Sequence, residues 1–141
     1  IFSFIYLLNS TDIIKQINEG KNIVLKYITI NGVLDFTNIK NKGEINQDII
    51  CHYINSTITF INCKFIDKVI SYKTKEKGKE ICNFNKNLVF TNCIFKEEVD
   101  FKEDIIEGLV NFNGSTFEKE VSFEGVFFKG NEIYFSEIMI L

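Results

Sequence analysis

The fold is decided by residues 88–135, LVFTNCIFKEEVDFKEDIIEGLVNFNGSTFEKEVSFEGVFFKGNEIYF, in which an aromatic residue returns every five or six positions. The pattern is carried by Phe90, Phe95, Phe101, Phe112, Phe117, Phe123, Phe128 and Phe135, and Ile106 fills the one gap. Steps of five and six alternate, so the same pair of steps leads from Phe90 to Phe101 and again from Phe101 to Phe112. A fixed period of this kind is the signature of a repeat protein.

Neither a helix nor a flat strand accommodates this spacing. An α-helix turns by about 100° per residue, so a step of five would place neighbouring aromatic rings on different faces. In a strand, an odd step would move each ring to the opposite side of the sheet. The chain must therefore turn a corner between one aromatic residue and the next.

The residues around the aromatics favour such corners. Gly114 and Gly125 each follow a phenylalanine by two positions, where positive φ is needed for a tight turn. The residue two positions before each aromatic is small or β-branched, as at Cys93, Val99 and Ser115, and suits an extended, inward-facing position. The pattern predicts short sides that stack on those of the next coil at a spacing of about 4.8 Å.

These residues resemble the pentapeptide-repeat family, whose loose pattern is a small residue, a polar residue and then Leu or Phe. The resemblance covers roughly residues 22–141 and is strongest from Leu88 onward. It implies an all-β fold, a right-handed quadrilateral parallel β-helix in which four steps, as from Phe90 to Phe112, complete one coil. Asp104 falls on an inward position, and the register of residues 38–50 and 102–109 is not determined by the pattern.

Counting along the repeat predicts four columns of inward side chains. Only Phe127, of the 13 phenylalanines after residue 21, lies off this lattice. The columns are Phe36, Phe60, Phe90, Phe112 and Phe135; Phe65, Phe95, Phe117 and Ile140; Phe101 and Phe123; and Tyr53, Phe84, Ile106 and Phe128.

Two segments interrupt the repeat within the larger organisation of the chain. Residues 1–21 are predicted to form an N-terminal apolar segment and capping helix, and residues 22–141 the solenoid. Residues 38–50 lose the pattern and are interpreted as an irregular side or loop. Residues 73–80, KTKEKGKE, are interpreted as a loop extruded from one corner, because the spacing from Phe60 to Phe90 equals one regular coil plus the length of this segment.

Residues 1–21 contain two signals. The apolar run IFSFIYLL, residues 1–8, is too short to span a bilayer and is interpreted as a first strand or plug, with the remnant of a signal peptide as the alternative. The segment Ser10-Thr11-Asp12 offers N-cap residues, the stripe of Ile13, Ile14 and Ile17 predicts a short helix, and Gly20 is a suitable stop. Such a helix would cover the first coil.

No residue pattern indicates a catalytic, cofactor-binding or metal site. All four cysteines precede an aromatic residue by two positions, so the repeat rather than a metal ion sets their spacing. We expect buried inward thiols, with Cys51 beside Cys82 and Cys63 beside Cys93. His52, the only histidine, is expected to point outward, away from Cys51, so that these two cannot form a nucleophile and base pair.

Composition and charge narrow the function without identifying it. A net charge of −3 predicts neither direct nucleic-acid binding nor attraction to a membrane surface. Residues 1–95 contain 12 lysines and 8 acidic residues, whereas residues 96–141 contain 4 lysines and 11 acidic residues. The first hypothesis is a non-enzymatic structural or protein-interaction solenoid. Its protein partner would bind the exposed side or the 73–80 segment.

Four further expectations accompany this hypothesis. Some pentapeptide-repeat proteins are DNA mimics that occupy the DNA site of type II topoisomerases, and the acidic second half is the feature that would fit this role. A repeat module of a larger secreted or effector protein is a third alternative. The apolar edge of residues 138–141 is expected to be covered either by further chain or by a second copy in an end-to-end homodimer. Unpaired buried cysteines favour a reducing, cytoplasmic compartment, against secretion.

Overall fold

The structure is a computed structural model and describes residues 6–141. Within this range the chain forms one α-helix, α1 (Ser10–Asn18), a 3₁₀ turn (Phe36–Asn38) and 21 short strands. The strands are β1 (Leu7–Asn9), β2 (Ile23–Lys26), β3 (Thr29–Asn31), β4 (Leu34–Asp35), β5 (Lys42–Asn46), β6 (Ile49–Ile54), β7 (Ile58–Ile61), β8 (Lys64–Phe65), β9 (Val69–Ile70), β10 (Lys73–Thr74), β11 (Lys79–Phe84), β12 (Leu88–Thr91), β13 (Ile94–Phe95), β14 (Val99–Asp100), β15 (Ile105–Ile106), β16 (Val110–Asn111), β17 (Thr116–Phe117), β18 (Val121–Ser122), β19 (Phe127–Phe128), β20 (Ile133–Tyr134) and β21 (Met139–Ile140).

The strands form four sheets, one for each side of a quadrilateral β-helix, which confirms the predicted fold class. Sheet I contains β1, β3, β8, β13, β17 and β21; sheet II contains β2, β7, β12, β16 and β20; sheet III contains β4, β9, β14 and β18. Sheet IV contains β6, β11, β15 and β19, with β5 and β10 added to it. Strands of successive coils pair in parallel, and only β5 and β10, among the described strands, pair antiparallel to their neighbours.

The corners lie where the sequence predicts them. Six residues that follow an inward phenylalanine by two positions have positive φ: Asn62 (53°), Asn92 (53°), Glu103 (58°), Gly114 (72°), Gly125 (70°) and Glu137 (56°). Asparagine and glycine are the residues that adopt this conformation most readily. Each such corner redirects the chain so that the next inward side chain belongs to the next sheet.

The core consists of stacked phenylalanine rings. Phe60, Phe90 and Phe112 are fully buried, and the ring centroids of Phe60 and Phe90, and of Phe90 and Phe112, are 5.1 Å apart. The observed columns are Leu25, Phe60, Phe90, Phe112 and Phe135; Leu8, Ile30, Phe65, Phe95, Phe117 and Ile140; Phe36, Ser71, Phe101 and Phe123; and Ile54, Phe84, Ile106 and Phe128. Phe127 is 59% exposed, as its off-lattice position predicts.

Two column assignments made from the sequence are wrong. Phe36 does not precede Phe60, because β4 pairs with β9 and places Phe36 in the column of Phe101. Ile54, not Tyr53, is the neighbour of Phe84. The first error arises because the first coil is longer than the later ones, so that Leu25 rather than Phe36 becomes the column neighbour of Phe60. The second arises because the pairing of β6 with β11, and not the repeat, decides which of Tyr53 and Ile54 faces inward.

The helix α1 caps the first coil, as predicted. Ile13, Ile14 and Ile17 are buried, and Gly20, with φ of 81°, ends the helix by donating its N–H to the carbonyl of Ile17. The expected N-cap is displaced by one residue: Asn9 occupies the cap position without a side-chain cap bond. The expectation of a strand, plug or signal-peptide remnant at residues 1–8 lies mostly outside the described residues, which begin at residue 6. Within the described part, Leu7 and Leu8 belong to β1.

The segments 38–50 and 73–80 are not irregular loops, and this corrects their interpretation from the sequence. Residues 42–50 form β5 and the start of β6, and residues 73–80 form β10 and the start of β11. β6 and β11 each have six residues, whereas most other sides have two to four. The extra residues therefore lengthen sheet IV beyond the corner of the quadrilateral.

Candidate functional site

The two extensions pair with each other and form one four-stranded structure, which we call the wing (residues 42–50 and 73–80). Its two inner strands, β6 and β11, are parallel, with Ile49 opposite Lys79 and Ile50 opposite Glu80. Its outer strands are antiparallel to them, β5 to β6 and β10 to β11. Because both insertions fall at the same corner of adjacent coils, each hairpin satisfies the backbone hydrogen bonds of the other.

The two hairpin turns of the wing are in close contact. The Lys79 N–H donates to the carbonyl of Asp48 at 2.8 Å. Gly78, with φ of 93°, lies so near that an added Cβ would come within 1.8 Å of the same carbonyl oxygen. Glycine is therefore required at this position both for its backbone conformation and for the close approach of the turns.

A buried ion pair anchors the wing to the coils. His52 is only 1% exposed; its Nε2 lies 2.6 Å from Glu80 Oε1 and its Nδ1 2.7 Å from the carbonyl oxygen of Ile39. A carbonyl only accepts, so Nδ1 carries a proton and donates it. Burial raises the pKa of Glu80, but the hydrogen bond from His52 and the charge of Lys75 outweigh it and lower the pKa below its usual value. The ring consequently donates from both nitrogens to an ionised Glu80 and to Ile39.

Lysine side chains fasten the second hairpin to the coils on either side. Lys73 Nζ lies 2.7 Å from Asp35 Oδ2 in the first coil. Lys79 forms a hydrogen-bonded ion pair with Glu103 in the following coil. The hydrogen bond from Lys79 lowers the pKa of Glu103 below its usual value and outweighs desolvation, which raises it. The wing is thus held by residues from three successive coils, which favours a fixed orientation.

Asp104 lies beneath the wing and is fully buried on the inward side, where the sequence placed it. One carboxyl oxygen accepts the Cys82 N–H at 2.8 Å, and the other is hydrogen-bonded to Ser71 Oγ. Burial raises the pKa of Asp104 well above its usual range. A neutral carboxyl fits these contacts, because its O–H can donate to Ser71, whose hydroxyl donates in turn to the carbonyl of Asp100 at 3.3 Å.

The expected outward position of His52 is wrong, and the register instead places it beside Cys82 on the inward side. Cys51, expected beside Cys82, lies opposite Ile81 and outside the main hydrophobic cluster, whereas Cys63 and Cys93 are neighbours as predicted. Burial raises the pKa of Cys51 to about 11 and that of Cys82 well above its usual range. Both ring nitrogens of His52 are engaged in hydrogen bonds, so neither can accept a proton from a cysteine, and Cys82 remains a thiol rather than the nucleophilic thiolate. These residues therefore stabilise the wing and do not form a nucleophile and base pair.

A shallow groove of about 510 Å³ runs between β10 and the outer face of sheet III. Its floor includes Ile70 and Tyr72, and Lys102 Nζ lies 5.4 Å from the centre of the Tyr72 ring. Its remaining lining residues are Lys68, Lys73, Thr74, Glu98 and Asp100. An aromatic and an aliphatic side chain surrounded by charges of both signs can contact an extended peptide segment.

The sequence identified the segment 73–80 as an insertion but did not identify the groove or the anchoring pair. Periodicity reports inward positions of regular coils, and the groove depends on how two insertions pair. One signal was available: the spacing from Leu25 to Phe60 exceeds that of a regular coil such as Phe90 to Phe112, so an earlier insertion precedes Phe60 and falls on the same corner as the second.

Comparison with protein-family models gives one match. Residues 82–137 match a family model described as pentapeptide repeats (9 copies). No curated protein and no solved structure matches the chain. Among residues 6–141, no three or more His, Cys, Asp or Glu side chains are grouped so that they could hold a metal ion. In the same range, no helix has the length and apolar character needed to cross a membrane.

Proposed function

The chain belongs to the pentapeptide-repeat family, and we propose that it is a non-enzymatic interaction module that binds a protein partner through the wing and the adjoining groove. The family is generally non-catalytic. The observation that carries this proposal is the anchoring of the wing by His52 and Glu80. A buried ion pair of this kind costs desolvation free energy and fixes geometry, which is of use where an exposed element must keep one conformation.

The composition of the groove supports a peptide segment as the ligand. Tyr72 supplies a rigid aromatic surface, and tyrosine is enriched where proteins bind one another. Lys68, Lys73 and Lys102 at the groove are accompanied by Glu98 and Asp100. A segment with one apolar side chain flanked by charged ones would complement both features.

A site-specific crosslinking experiment tests the proposal. A photoreactive amino acid is placed at Thr74, which is exposed in the groove, or at Lys26, which is exposed on sheet II as the control. The partner captured from cells is then purified, and its affinity is measured for the unmodified chain, for Tyr72→Ala and for the control Val24→Ala, a 60% exposed position on sheet II.

We expect capture at Thr74 only, and at least a tenfold loss of affinity for Tyr72→Ala with no change for Val24→Ala. Equal capture at both positions, or equal affinity of the two variants, would show that partner binding does not use the groove.

A second candidate function is mimicry of DNA toward a type II topoisomerase, favoured by the excess of acidic residues in residues 96–141. Three of these carboxylates are nevertheless paired with lysines of the preceding coil: Glu98 with Lys68, Glu103 with Lys79 and Glu118 with Lys96. Such pairing weakens the negative field. Inhibition of gyrase supercoiling by excess protein would support mimicry, and unchanged supercoiling would remove it.

We also propose that the last coil contacts a second copy of the chain end to end. Met139, Ile140 and Leu141 are between 56% and 72% exposed, and stacking of two such edges would bury them. Sedimentation of residues 1–141 should show a dimer that Ile140→Lys converts to a monomer. A monomer at all concentrations would contradict this contact.

A further inference from the structure

The edge of sheet IV that faces the first coil is open at the end of β6. In the later coils of this sheet, the residue after the inward position donates its N–H to the inward residue of the preceding coil. These bonds are Asn85 to Ile54, Glu107 to Phe84 and Lys129 to Ile106, each at 2.9 Å. Since Ile54 pairs with Phe84, the equivalent residue of the second coil is Asn55, and its N–H has no acceptor among residues 6–141.

The first coil leaves this edge open because its chain turns into the wing. Asn41 accepts the Tyr53 N–H at 2.8 Å, and from Lys42 onward the chain runs antiparallel to β6 and away from Ile54. The Tyr53 carbonyl accepts no backbone hydrogen bond from the described residues either. In a parallel ladder, a carbonyl and an N–H two residues apart bind the N–H and C=O of one residue on the neighbouring strand. Tyr53 and Asn55 therefore present the backbone groups for one further residue opposite Ile54.

A cavity of about 200 Å³ lies at this edge, between the C-terminal end of α1, the segment 39–41 and the end of β6. Among the residues that line it, Lys40 alone carries a charge, and the Lys40 N–H donates to Asn18 Oδ1 at 2.8 Å. Ser56, which is only 4% exposed, adds a hydroxyl group that can donate. None of the lining residues belongs to the groove beside β10, so this cavity is a separate site.

The surroundings of the cavity determine which part of a peptide can enter it. A residue that pairs in parallel opposite Ile54 belongs to a chain running in the direction of β6, toward Thr57. The next position is already filled, because Asn22 Oδ1 accepts the Thr57 N–H at 2.9 Å and Gly20 lines the cavity. An antiparallel chain would need two residues, two positions apart, to reach the same backbone groups, for which this cavity is too small. A chain that enters along β6 must therefore end in the cavity.

We propose that this cavity binds the C-terminal residue of a partner peptide. The N–H of that residue donates to the Tyr53 carbonyl, and one carboxylate oxygen accepts the Asn55 N–H. The second oxygen accepts from the Ser56 hydroxyl, and the ammonium group of Lys40 balances the negative charge. Strand addition at a free sheet edge and capture of a terminal carboxylate are both general modes of peptide recognition.

The same geometry predicts the kind of terminal side chain. Residues opposite each other in neighbouring strands point to the same face of the sheet, so this side chain points inward like that of Ile54, which is fully buried. Ile17 and Ile39 are buried and line the cavity. We therefore expect a small aliphatic side chain such as that of valine, and exclusion of a charged one, whose desolvation nothing on this side offsets.

Nuclear magnetic resonance of the full chain tests the proposal with defined probes. These are acetylated pentapeptides, randomised at the first four positions and ending in valine, as free acids and as C-terminal amides. We expect the free acids to shift the Asn55 amide signal, and the amides to bind at least tenfold more weakly. Lys40→Gln should weaken binding of the free acids at least fivefold, because charge-assisted hydrogen bonds are the stronger ones. The matched control Lys26→Gln, at another exposed lysine, should leave it unchanged.

Three results would overturn the proposal. They are equal affinity for acids and amides, shifts at Thr74 in the groove instead of Asn55, and no binding of either set of peptides. The last two leave the proposed binding through the wing untouched, because Thr74 and the other groove residues lie outside this cavity.

Amide hydrogen exchange of the unmodified chain provides a test that needs no variant. In the free chain, the Asn55 N–H should exchange much faster than the Asn85 N–H, which donates to Ile54. With the valine-ended acids present, exchange at Asn55 should slow at least tenfold. Equal protection of Asn55 and Asn85 in the free chain, or unchanged exchange at Asn55 with peptide, would contradict the open edge or its use.

Discussion

Replacing Phe112 by alanine tests the stacked core where its packing is best defined. The Phe112 ring is fully buried, and its centroid lies 5.1 Å from Phe90, 5.3 Å from Phe135 and 5.3 Å from Phe123. Truncation of a buried phenylalanine costs about 3–5 kcal/mol, because the lost transfer free energy is joined by that of the cavity. Loss of the ring pairs, each worth about 0.5–1.5 kcal/mol, places the expected value in the upper part of this range.

Phe127→Ala is the matched control, since the same side chain is removed where 59% of its surface is exposed. Full burial of phenylalanine is worth about 1.5–3 kcal/mol, so the partly exposed ring should contribute about 1 kcal/mol. Both free energies of unfolding are measured by urea denaturation followed by circular dichroism. A loss below about 1 kcal/mol for Phe112→Ala, or equal losses for the two variants, would show that Phe112 is not part of a packed column.

Three further predictions concern the wing and the groups beneath it. Gly78→Ala should destabilise the wing by more than ~1 kcal/mol through strain and a clash with the facing turn, seen as faster amide exchange in the wing alone. The control Gly43→Ala, at a position with free space and no positive φ, should change the stability of the wing by less than ~1 kcal/mol. Equal effects of the two substitutions would refute the contact between the turns. Glu80→Gln should cost about 3–5 kcal/mol, because His52 is left buried without its counter-ion. Since the pKa of Glu80 is lowered by folding, the same stabilisation should disappear in the unmodified chain as the pH falls through the carboxyl range. Amide exchange rates of the wing that are unchanged by Glu80→Gln at neutral pH would contradict the anchor. The pH dependence contributed by Asp104 has the opposite sign, because its raised pKa means that the folded state binds a proton which the unfolded state releases. Stability should therefore fall by up to ~1.4 kcal/mol per pH unit above the ordinary carboxyl pKa. Asp104→Asn should remove this slope in pH-dependent urea titrations, and an unchanged slope would refute a neutral buried carboxyl.

The regular coils could be predicted from the sequence because each turn of the chain repeats the same local requirement. An aromatic residue every five or six positions fixes the inward side chains, and at six of the corners a residue with positive φ lies two positions later. Asn92 and Gly114 illustrate this, with φ of 53° and 72°. The column that continues from Phe60 was therefore predicted correctly, including the insertion before Phe90.

The errors lie where the pairing partner of a strand is distant and its length is not fixed by the repeat. Tyr53 and Ile54 are both apolar and adjacent, so only the pairing of β6 with β11 decides which one faces inward. That pairing follows the wing rather than the repeat and turns His52 inward. The candidate site was accordingly missed, since its anchor requires a histidine that the local pattern places outside.

The most direct measurement is a crystal structure of the chain in which the aromatic columns and the wing anchor are read together. We expect ring centroids about 5.1 Å apart between Phe60 and Phe90 and between Phe90 and Phe112, with His52 Nε2 about 2.6 Å from Glu80. Rings of these three phenylalanines in solvent or on different sides of the coil, or a His52 side chain on the outer surface, would contradict the stacked β-helix and its anchored wing.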